Sequence, residues 1–100
     1  MSQFESTMRK GFHMTFENGL TISVQWGAGN YCDNHFHRDF TFSKDASSRT
    51  AEVAVFDSSD EFIDPQKFIE ESIDGDEEVA GYLTADQVAQ MIYNVSKYPN

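Results

Sequence analysis

The sequence predicts an α+β domain in which an antiparallel sheet of three or four strands packs against one C-terminal helix. Three observations carry this prediction. Apolar and polar residues alternate on both sides of Asn18-Gly19, which is the period of half-buried strands around a hairpin signal. The same period returns later in the chain, and apolar residues recur at helical spacing near the C-terminus. The predicted elements are a hairpin over residues 12–26, a strand over 50–56 and a helix over about 85–97.

The apolar pattern also predicts the length of the hairpin loop. A two-residue loop would pair Glu17 with Leu20 and would mix apolar and polar side chains on each face. A three-residue loop, residues 17–19, places every apolar side chain of both strands on one face. Because burying a large apolar side chain contributes about 1.5–3 kcal/mol, we expect this second register, with Gly19 left-handed in a G1 bulge. The expected pairs are Phe16–Leu20, Met14–Ile22 and Phe12–Val24.

The strand at 50–56 carries its apolar side chains at alternate positions, which predicts one buried face. These side chains are Ala51, Val53 and Val55. After a polar turn, residues 61–63 are predicted to return as a short fourth strand. Residues 1–10 are mostly polar and are predicted to form a flexible arm or a short helix. The whole chain, residues 1–100, is expected to form one domain, since this length supports one hydrophobic core.

Two capping signals position the helices. Asp64 followed by Pro65 is typical of an N-cap and a first helical residue, which predicts a short helix through residue 71. Its inward side chains are expected to be Phe68 and Ile69. Thr84 and Gln87 have the spacing of a capping box at the start of the C-terminal helix. The apolar face of that helix is predicted to consist of Val88, Met91, Ile92 and Val95.

The net charge of −10 is distributed unevenly. Residues 1–50 carry five acidic and five basic side chains, whereas residues 51–100 carry twelve acidic and two basic ones. Such a negative field repels nucleic-acid phosphates, so we expect no direct nucleic-acid binding. No apolar run approaches the roughly 20 residues of a membrane span, so no membrane partner is expected. The one cysteine forms no internal disulfide, which favours a reducing cytoplasm. The composition leaves the oligomeric state open.

Ten acidic side chains lie within 22 residues of the C-terminal half. A solvated surface is the simplest interpretation of such a cluster. If the acids share one face, however, they would attract a partner protein with a basic surface, as a mimic of nucleic acid would. We predict that they form a partner-binding surface. They are Asp57, Asp60, Glu61, Asp64, Glu70, Glu71, Asp74, Asp76, Glu77 and Glu78.

The glycine-rich corner after the hairpin offers an alternative site, a pocket for a small ligand, a nucleotide or a metal ion over residues 27–37. Its proposed lining is Asn30, Tyr31, Cys32, His35 and His37. The order C-x-x-H-x-H supplies three zinc ligand types, but the chain has no second cysteine pair to close a structural site. Nothing in the sequence orders a third group for a Cys32 nucleophile. We therefore predict no catalytic residue, no metal and no cofactor.

Three blocks of the chain resemble a family of small proteins found in tailed bacteriophages. They are TFENGLTISVQWGAGNYCDN (residues 15–34), TAEVAVFD (50–57) and VAGYLTADQVAQMI (79–92). The resemblance covers most of the chain and includes the corner motif Gly-x-Gly-Asn-Tyr-Cys. It carries over no functional residues. It implies a phage accessory protein, and small acidic proteins of phages often inhibit host enzymes or defence systems, including anti-CRISPR proteins and DNA mimics. The resemblance thus predicts a non-enzymatic inhibitor acting in the host cytoplasm.

Overall fold

Seven antiparallel strands, a 3-10 helix and an α-helix make up the part of the chain that the computed structural model describes, residues 2–7, 10–36 and 47–99. The strands are β1 (Gln3–Ser6), β2 (Gly11–Thr15), β3 (Thr21–Gln25), β4 (Thr50–Phe56), β5 (Phe62–Ile63), β6 (Asp74–Gly75) and β7 (Val79–Thr84). The 3-10 helix spans Pro65–Phe68 and the α-helix, α1, spans Ala85–Lys97. The α+β class and the C-terminal helix over 85–97 are confirmed.

The hairpin has the predicted three-residue loop. Met14 lies opposite Ile22 and Phe12 opposite Val24 in the sheet. At the loop, the backbone N–H of Phe16 donates to the carbonyl of Leu20 at 2.9 Å. Gly19 has a φ of 89°, the left-handed conformation that glycine adopts without a steric penalty. This register places the apolar side chains of both strands on one face.

The sheet is larger than predicted, with the strand order β1-β2-β3-β4-β7-β6 and β5 paired with β4. The strands at 50–56 and 62–63 lie where the sequence predicts them. The added strands are β1, β6 and β7. The flexible arm or short helix predicted for the N-terminus is corrected, because Gln3–Ser6 pairs with β2 and Phe4 lies opposite Met14. Four polar-rich residues carry little strand signal alone, and the unpaired edge of β2 supplies their backbone partners.

Helix α1 lies on the apolar face formed by β3, β4 and β7. It starts with the predicted capping box, in which the N–H of Gln87 donates to the hydroxyl of Thr84 at 3.2 Å and the N–H of Thr84 donates to the Gln87 side chain at 2.8 Å. Val88, Met91 and Val95 are buried, and Ile92 packs against the same core from a partly buried position. The helix therefore covers the centre of the sheet and leaves β1 and β2 at its border.

The 3-10 helix is shorter than the helix predicted through residue 71. Asp64 caps it by accepting from the N–H of Gln66 at 3.0 Å, and Pro65 occupies the first position, as the sequence predicts. It ends at Ile69, which is extended, because the Gln66 side chain donates to the carbonyls of Ile69 and Glu71 and holds the chain out of the helix. Phe68 and Ile69 are buried, as predicted.

Asn18 connects the hairpin loop to the end of α1. Its Nδ2 donates to the carbonyl of Val95 at 2.8 Å and to that of Tyr98 at 2.9 Å. Its Oδ1 accepts from the N–H of Leu20 at 3.0 Å. The carbonyl of Val95 also accepts from the N–H of Tyr98 at 3.2 Å, so Asn18 adds a second donor there and supplies a donor to the carbonyl of Tyr98, just beyond the helix. The asparagine of the turn signal thus also fixes the loop against the helix.

Replacing Asn18 tests this connection. We expect Asn18→Ala to lower the free energy of unfolding by about 1–3 kcal/mol, since the three hydrogen bonds of the Asn18 side chain are lost. Asn18→Asp should lower it further, because a carboxylate next to a helix C-terminus also meets the negative end of the helix dipole. Urea unfolding measures the free energy of unfolding of both variants. Variants as stable as the wild type would contradict the capping role.

Candidate functional site

The glycine corner, residues 27–36, lies on the face of the sheet opposite α1. Ala51 and Val53 of β4 are buried on the helix side, so Glu52 between them points to the opposite face. There its Oε1 accepts from the side-chain amide of Asn30 at 3.1 Å, and its Oε2 accepts from the backbone N–H of Tyr31 at 2.9 Å. Glu52 therefore anchors the corner to the sheet.

A glycine on the neighbouring strand allows the corner to approach the sheet closely. A Cβ atom added to Gly81 would lie 2.8 Å from the Cβ of Tyr31, closer than such atoms pack. Next to this contact, the N–H of Tyr82 donates to the carbonyl of Tyr31 at 2.9 Å. Tyr82 has a φ of 56°, which a residue with a large side chain rarely adopts. The strand is thus distorted at the point where the corner contacts it.

Cys32 is a buried side chain of this corner, with 1% of its surface exposed. Its Sγ lies 3.7 Å from the carbonyl oxygen of Gly27. Burial raises the pKa of the Cys32 thiol, and the carboxylates of Glu52 and Asp33 act in the same direction. Since the thiolate is the nucleophilic form, this environment opposes nucleophilic chemistry. Cys32 has the environment of a structural side chain.

Two histidines, one in the corner and one on β2, also make contacts within the protein. Nδ1 of His35 lies 2.9 Å from the carbonyl oxygen of Asn30, and the His35 ring stacks on Tyr31 with 5.3 Å between centroids. His13 lies on β2, where it contacts Glu5 at 3.4 Å and the ring of Phe56. His37 lies outside the described residues. Within the described ranges, no three metal-binding side chains converge on one point.

Two further residues that the sequence did not indicate, Asn34 and Thr50, attach the corner to the rest of the protein. Thr50 donates through its hydroxyl to Asp33 at 2.8 Å and accepts from the Asp33 N–H at 2.9 Å. Asn34 donates to the carbonyl of Trp26 at 2.8 Å. Together with Glu52, these residues use most of the polar groups of the corner in internal hydrogen bonds. The one usable signal in the sequence was Glu52, a charged residue between the buried positions of a central strand.

A second candidate site is an open groove of about 720 Å³ between the 3-10 helix and the turn that joins β6 to β7. We call it the acidic groove. The residues that line it are Asp64, Gln66, Ile73, Asp74, Gly75, Asp76, Glu77 and Glu78. None of these lining residues is basic. In the described parts of the chain, no lysine or arginine forms an ion pair with any of the ten predicted acids.

The groove gathers five of the ten acids predicted to bind a partner. The other five do not line it. Asp57, Asp60 and Glu61 lie at the turn between β4 and β5, and Glu70 and Glu71 follow the 3-10 helix. Asp57 has a local role, because its carboxylate accepts from the N–H groups of Ser59 and Glu61. The acids of the C-terminal half thus belong to more than one surface.

Two carboxylates of the groove also have structural roles. Asp64 caps the 3-10 helix. Oδ1 of Asp76 accepts from the N–H of Glu78 at 2.8 Å and of Val79 at 2.9 Å. These hydrogen bonds, with that of Val79 the stronger influence, lower the pKa of the Asp76 carboxyl. Asp74, Glu77 and Glu78 are exposed, and their carboxylates accept no hydrogen bond from the described residues. They are the groove carboxylates available to a partner.

Comparisons with known proteins find no matching family model, no matching curated protein and no matching solved structure. The phage resemblance therefore stays a prediction from the sequence. Within the described residues, no arrangement of side chains points to an enzymatic activity. No helix in the described ranges is both long and apolar enough to cross a membrane.

The environment of Cys32 predicts its reactivity. In the folded protein we expect its thiol to react with a disulfide reagent on the order of 100-fold more slowly than in denaturant, because reaction requires local opening. The absorbance of the thiolate that the reagent releases measures the rate of the reaction. A native rate equal to that of the denatured protein would show that Cys32 is accessible and would reopen the nucleophile hypothesis.

The Asp76 turn predicts a pH dependence of stability. Because the folded state lowers the pKa of this carboxyl, the ionised form stabilises the fold above the ordinary carboxyl range, and this contribution is lost as the pH falls through the lowered pKa. Asp76→Asn keeps an acceptor oxygen but does not titrate. We expect the wild type to be more stable than Asp76→Asn at neutral pH and the two to converge in acid. A stability difference that does not change with pH would contradict this.

Proposed function

We propose that the protein binds a partner protein with a basic surface through the acidic groove and has no catalytic activity of its own. The observation that carries this proposal is the convergence of five carboxylates on one open groove without a basic residue among those that line it. Unpaired carboxylates repel one another, and a lysine-rich or arginine-rich surface relieves this repulsion. The groove is therefore complementary to a basic partner.

The free carboxylates support a protein partner more than a nucleic acid. A groove lined by acids repels phosphate groups, whereas it orients and attracts guanidinium and ammonium groups. Arginine in particular forms paired hydrogen bonds with a carboxylate. Asp74, Glu77 and Glu78 accept no hydrogen bond within the described residues, so binding a partner would break no described internal hydrogen bond at these three carboxylates. We infer that these three residues make the decisive contacts.

The resemblance to phage proteins extends this proposal to a class of partner. In an infected cell, the partner would be a host protein that acts on nucleic acid or in defence, since such proteins have basic surfaces that bind phosphates. The acidic groove would occupy that surface and inhibit the host protein, as anti-CRISPR proteins and DNA mimics do. The protein would then act in the host cytoplasm.

The alternative function, ligand binding at the corner, has less support. Asn30 and His35 make hydrogen bonds within the protein, and Cys32 is buried. A ligand would have to replace these internal contacts. Among the described residues of the predicted pocket lining, Tyr31 has the most exposed side chain.

The groove is tested by neutralising its free carboxylates in the variant Asp74→Asn, Glu77→Gln, Glu78→Gln. Capture of the partner by tagged protein from bacterial lysate, followed by mass spectrometry, should fall about tenfold. This estimate rests on roughly 0.5 kcal/mol for each of three exposed charge pairs. Wild-type capture should decrease as salt rises, because salt screens exposed charges.

The matched control removes three acids outside the groove, in the variant Asp60→Asn, Glu61→Gln, Asp86→Asn. It has the same net charge as the groove variant, so an effect of total charge lowers capture by both equally. We expect the control to retain capture close to that of the wild type. Equal loss in both variants, or undiminished capture by the groove variant, would overturn the assignment of the groove.

A further inference from the structure

Among the described residues, strand β1 forms one edge of the sheet, and none of them pairs with the backbone groups on its outer side. All four of its residues are exposed, and Phe4 exposes 79% of its surface. Along an antiparallel strand, successive residues direct their N–H and C=O groups to opposite sides. Because the N–H of Thr7 donates to the carbonyl of Gly11 on β2, Gln3 and Glu5 also face β2. Phe4 and Ser6 therefore direct their backbone groups outward.

Strand β1 has few of the features that usually prevent an edge strand from pairing with another chain. It contains no proline and no lysine, and its one charged residue, Glu5, contacts His13 of the same chain at 3.4 Å. The opposite edge is different. Strand β6 has only two residues and adjoins the acids of the groove, Asp76 to Glu78 among them. Within the described residues, acidic side chains thus flank one edge of the sheet, and the backbone groups at the other edge have no partner.

The distribution of charge favours a second copy of this chain as the occupant of the open edge. Residues 1–50 have no net charge, and the excess of ten negative charges lies in residues 51–100. In the strand order, β1 is separated from β6 by the whole width of the sheet. Two copies that meet at β1 keep their acidic edges apart. We propose that β1 pairs with β1 of a second copy in a two-fold symmetric dimer with a continuous sheet.

The charge on the strand disfavours one register, and the exposed phenyl ring favours another. If the symmetry axis passed through Glu5, the two Glu5 carboxylates would lie directly opposite each other, which is destabilising. An axis through Phe4 instead places Gln3 opposite Glu5 of the second copy. It also joins the outward backbone groups of Phe4 to those of Phe4 in the second copy. This register brings the two exposed phenyl rings together.

Apolar surface at the border of the sheet supports the same arrangement. Phe4 lies beside Met14, and both are on the side of the sheet that α1 covers only over β3, β4 and β7. Phe12 and Met14 are only partly buried. A second copy would cover this apolar strip. Since two short strands form an interface smaller than that of a permanent dimer, the dimer should dissociate on dilution.

Sedimentation equilibrium of the full chain tests the proposal. We expect the mass to rise from 11.4 kDa toward twice that value as the protein concentration rises from micromolar to millimolar. The acidic groove is not part of this interface, so the groove variant should dimerise like the wild type. A mass of 11.4 kDa at every concentration would overturn the proposal.

Phe4→Pro identifies the edge. Proline removes the outward N–H of residue 4 and leaves the hydrogen bonds to β2, so it should weaken dimerisation at least tenfold while circular dichroism shows a folded monomer. Phe4→Leu, which keeps the N–H and an apolar side chain, is the matched control and should dimerise within a few-fold of the wild type. Phe4→Lys keeps the backbone intact and places two ammonium groups opposite each other, so it should also be monomeric. Dimerisation of both Phe4→Pro and Phe4→Lys like the wild type would exclude this edge.

Discussion

The register of the first hairpin is the constraint on which the rest of the structure depends. With a three-residue loop, Ile22 and Val24 lie under α1, and Ser23 and Gln25 lie on the other face. A shift by one residue would exchange these two sets, since side chains alternate along a strand. The apolar side chains would then lose the core that α1 closes. The loop also holds the helix directly, because Asn18 donates to two carbonyls at its C-terminal end.

The two faces of the sheet explain why a motif that looks chemical has a structural role. One face is apolar and is closed by α1. The other carries Glu52, whose carboxylate holds the glycine corner in place. On this face the thiol of Cys32 is buried, and the ring of His35 is fixed by a backbone carbonyl and by Tyr31. The polar groups of the corner thus serve the fold, whereas Asp74, Glu77 and Glu78 of the acidic groove accept no hydrogen bond from the described residues.

The long periodic segments of the hairpin, β4 and α1 predicted their structures, whereas β1, β6 and β7 were not predicted. The hairpin, β4 and α1 each repeat an apolar pattern over several residues, and a buried face enforces that pattern. Strands β1 and β6 contain four and two residues, so they depend on the neighbouring strand for their hydrogen bonds. The ten acidic residues were visible in the sequence, but the sequence did not show that only five of them line one groove. Asp64 and Asp74 meet in one groove because the 3-10 helix and the β6–β7 pairing bring distant segments together. The contact of Glu52 with Asn30 likewise joins residues 22 positions apart, beyond the reach of any local pattern.

The acidic groove is the proposed binding surface, whereas the glycine corner is held by internal hydrogen bonds. The most direct test is an NMR titration of the labelled protein with a short arginine-rich peptide, which serves as a probe for a basic surface. We expect the backbone amides of Asp74, Glu77 and Glu78 to shift most, and those of Tyr31 and Cys32 in the corner to shift little. Equal shifts at all acidic residues would show a diffuse charge effect without a site. The largest shifts at the corner would contradict the assignment of binding to the acidic groove.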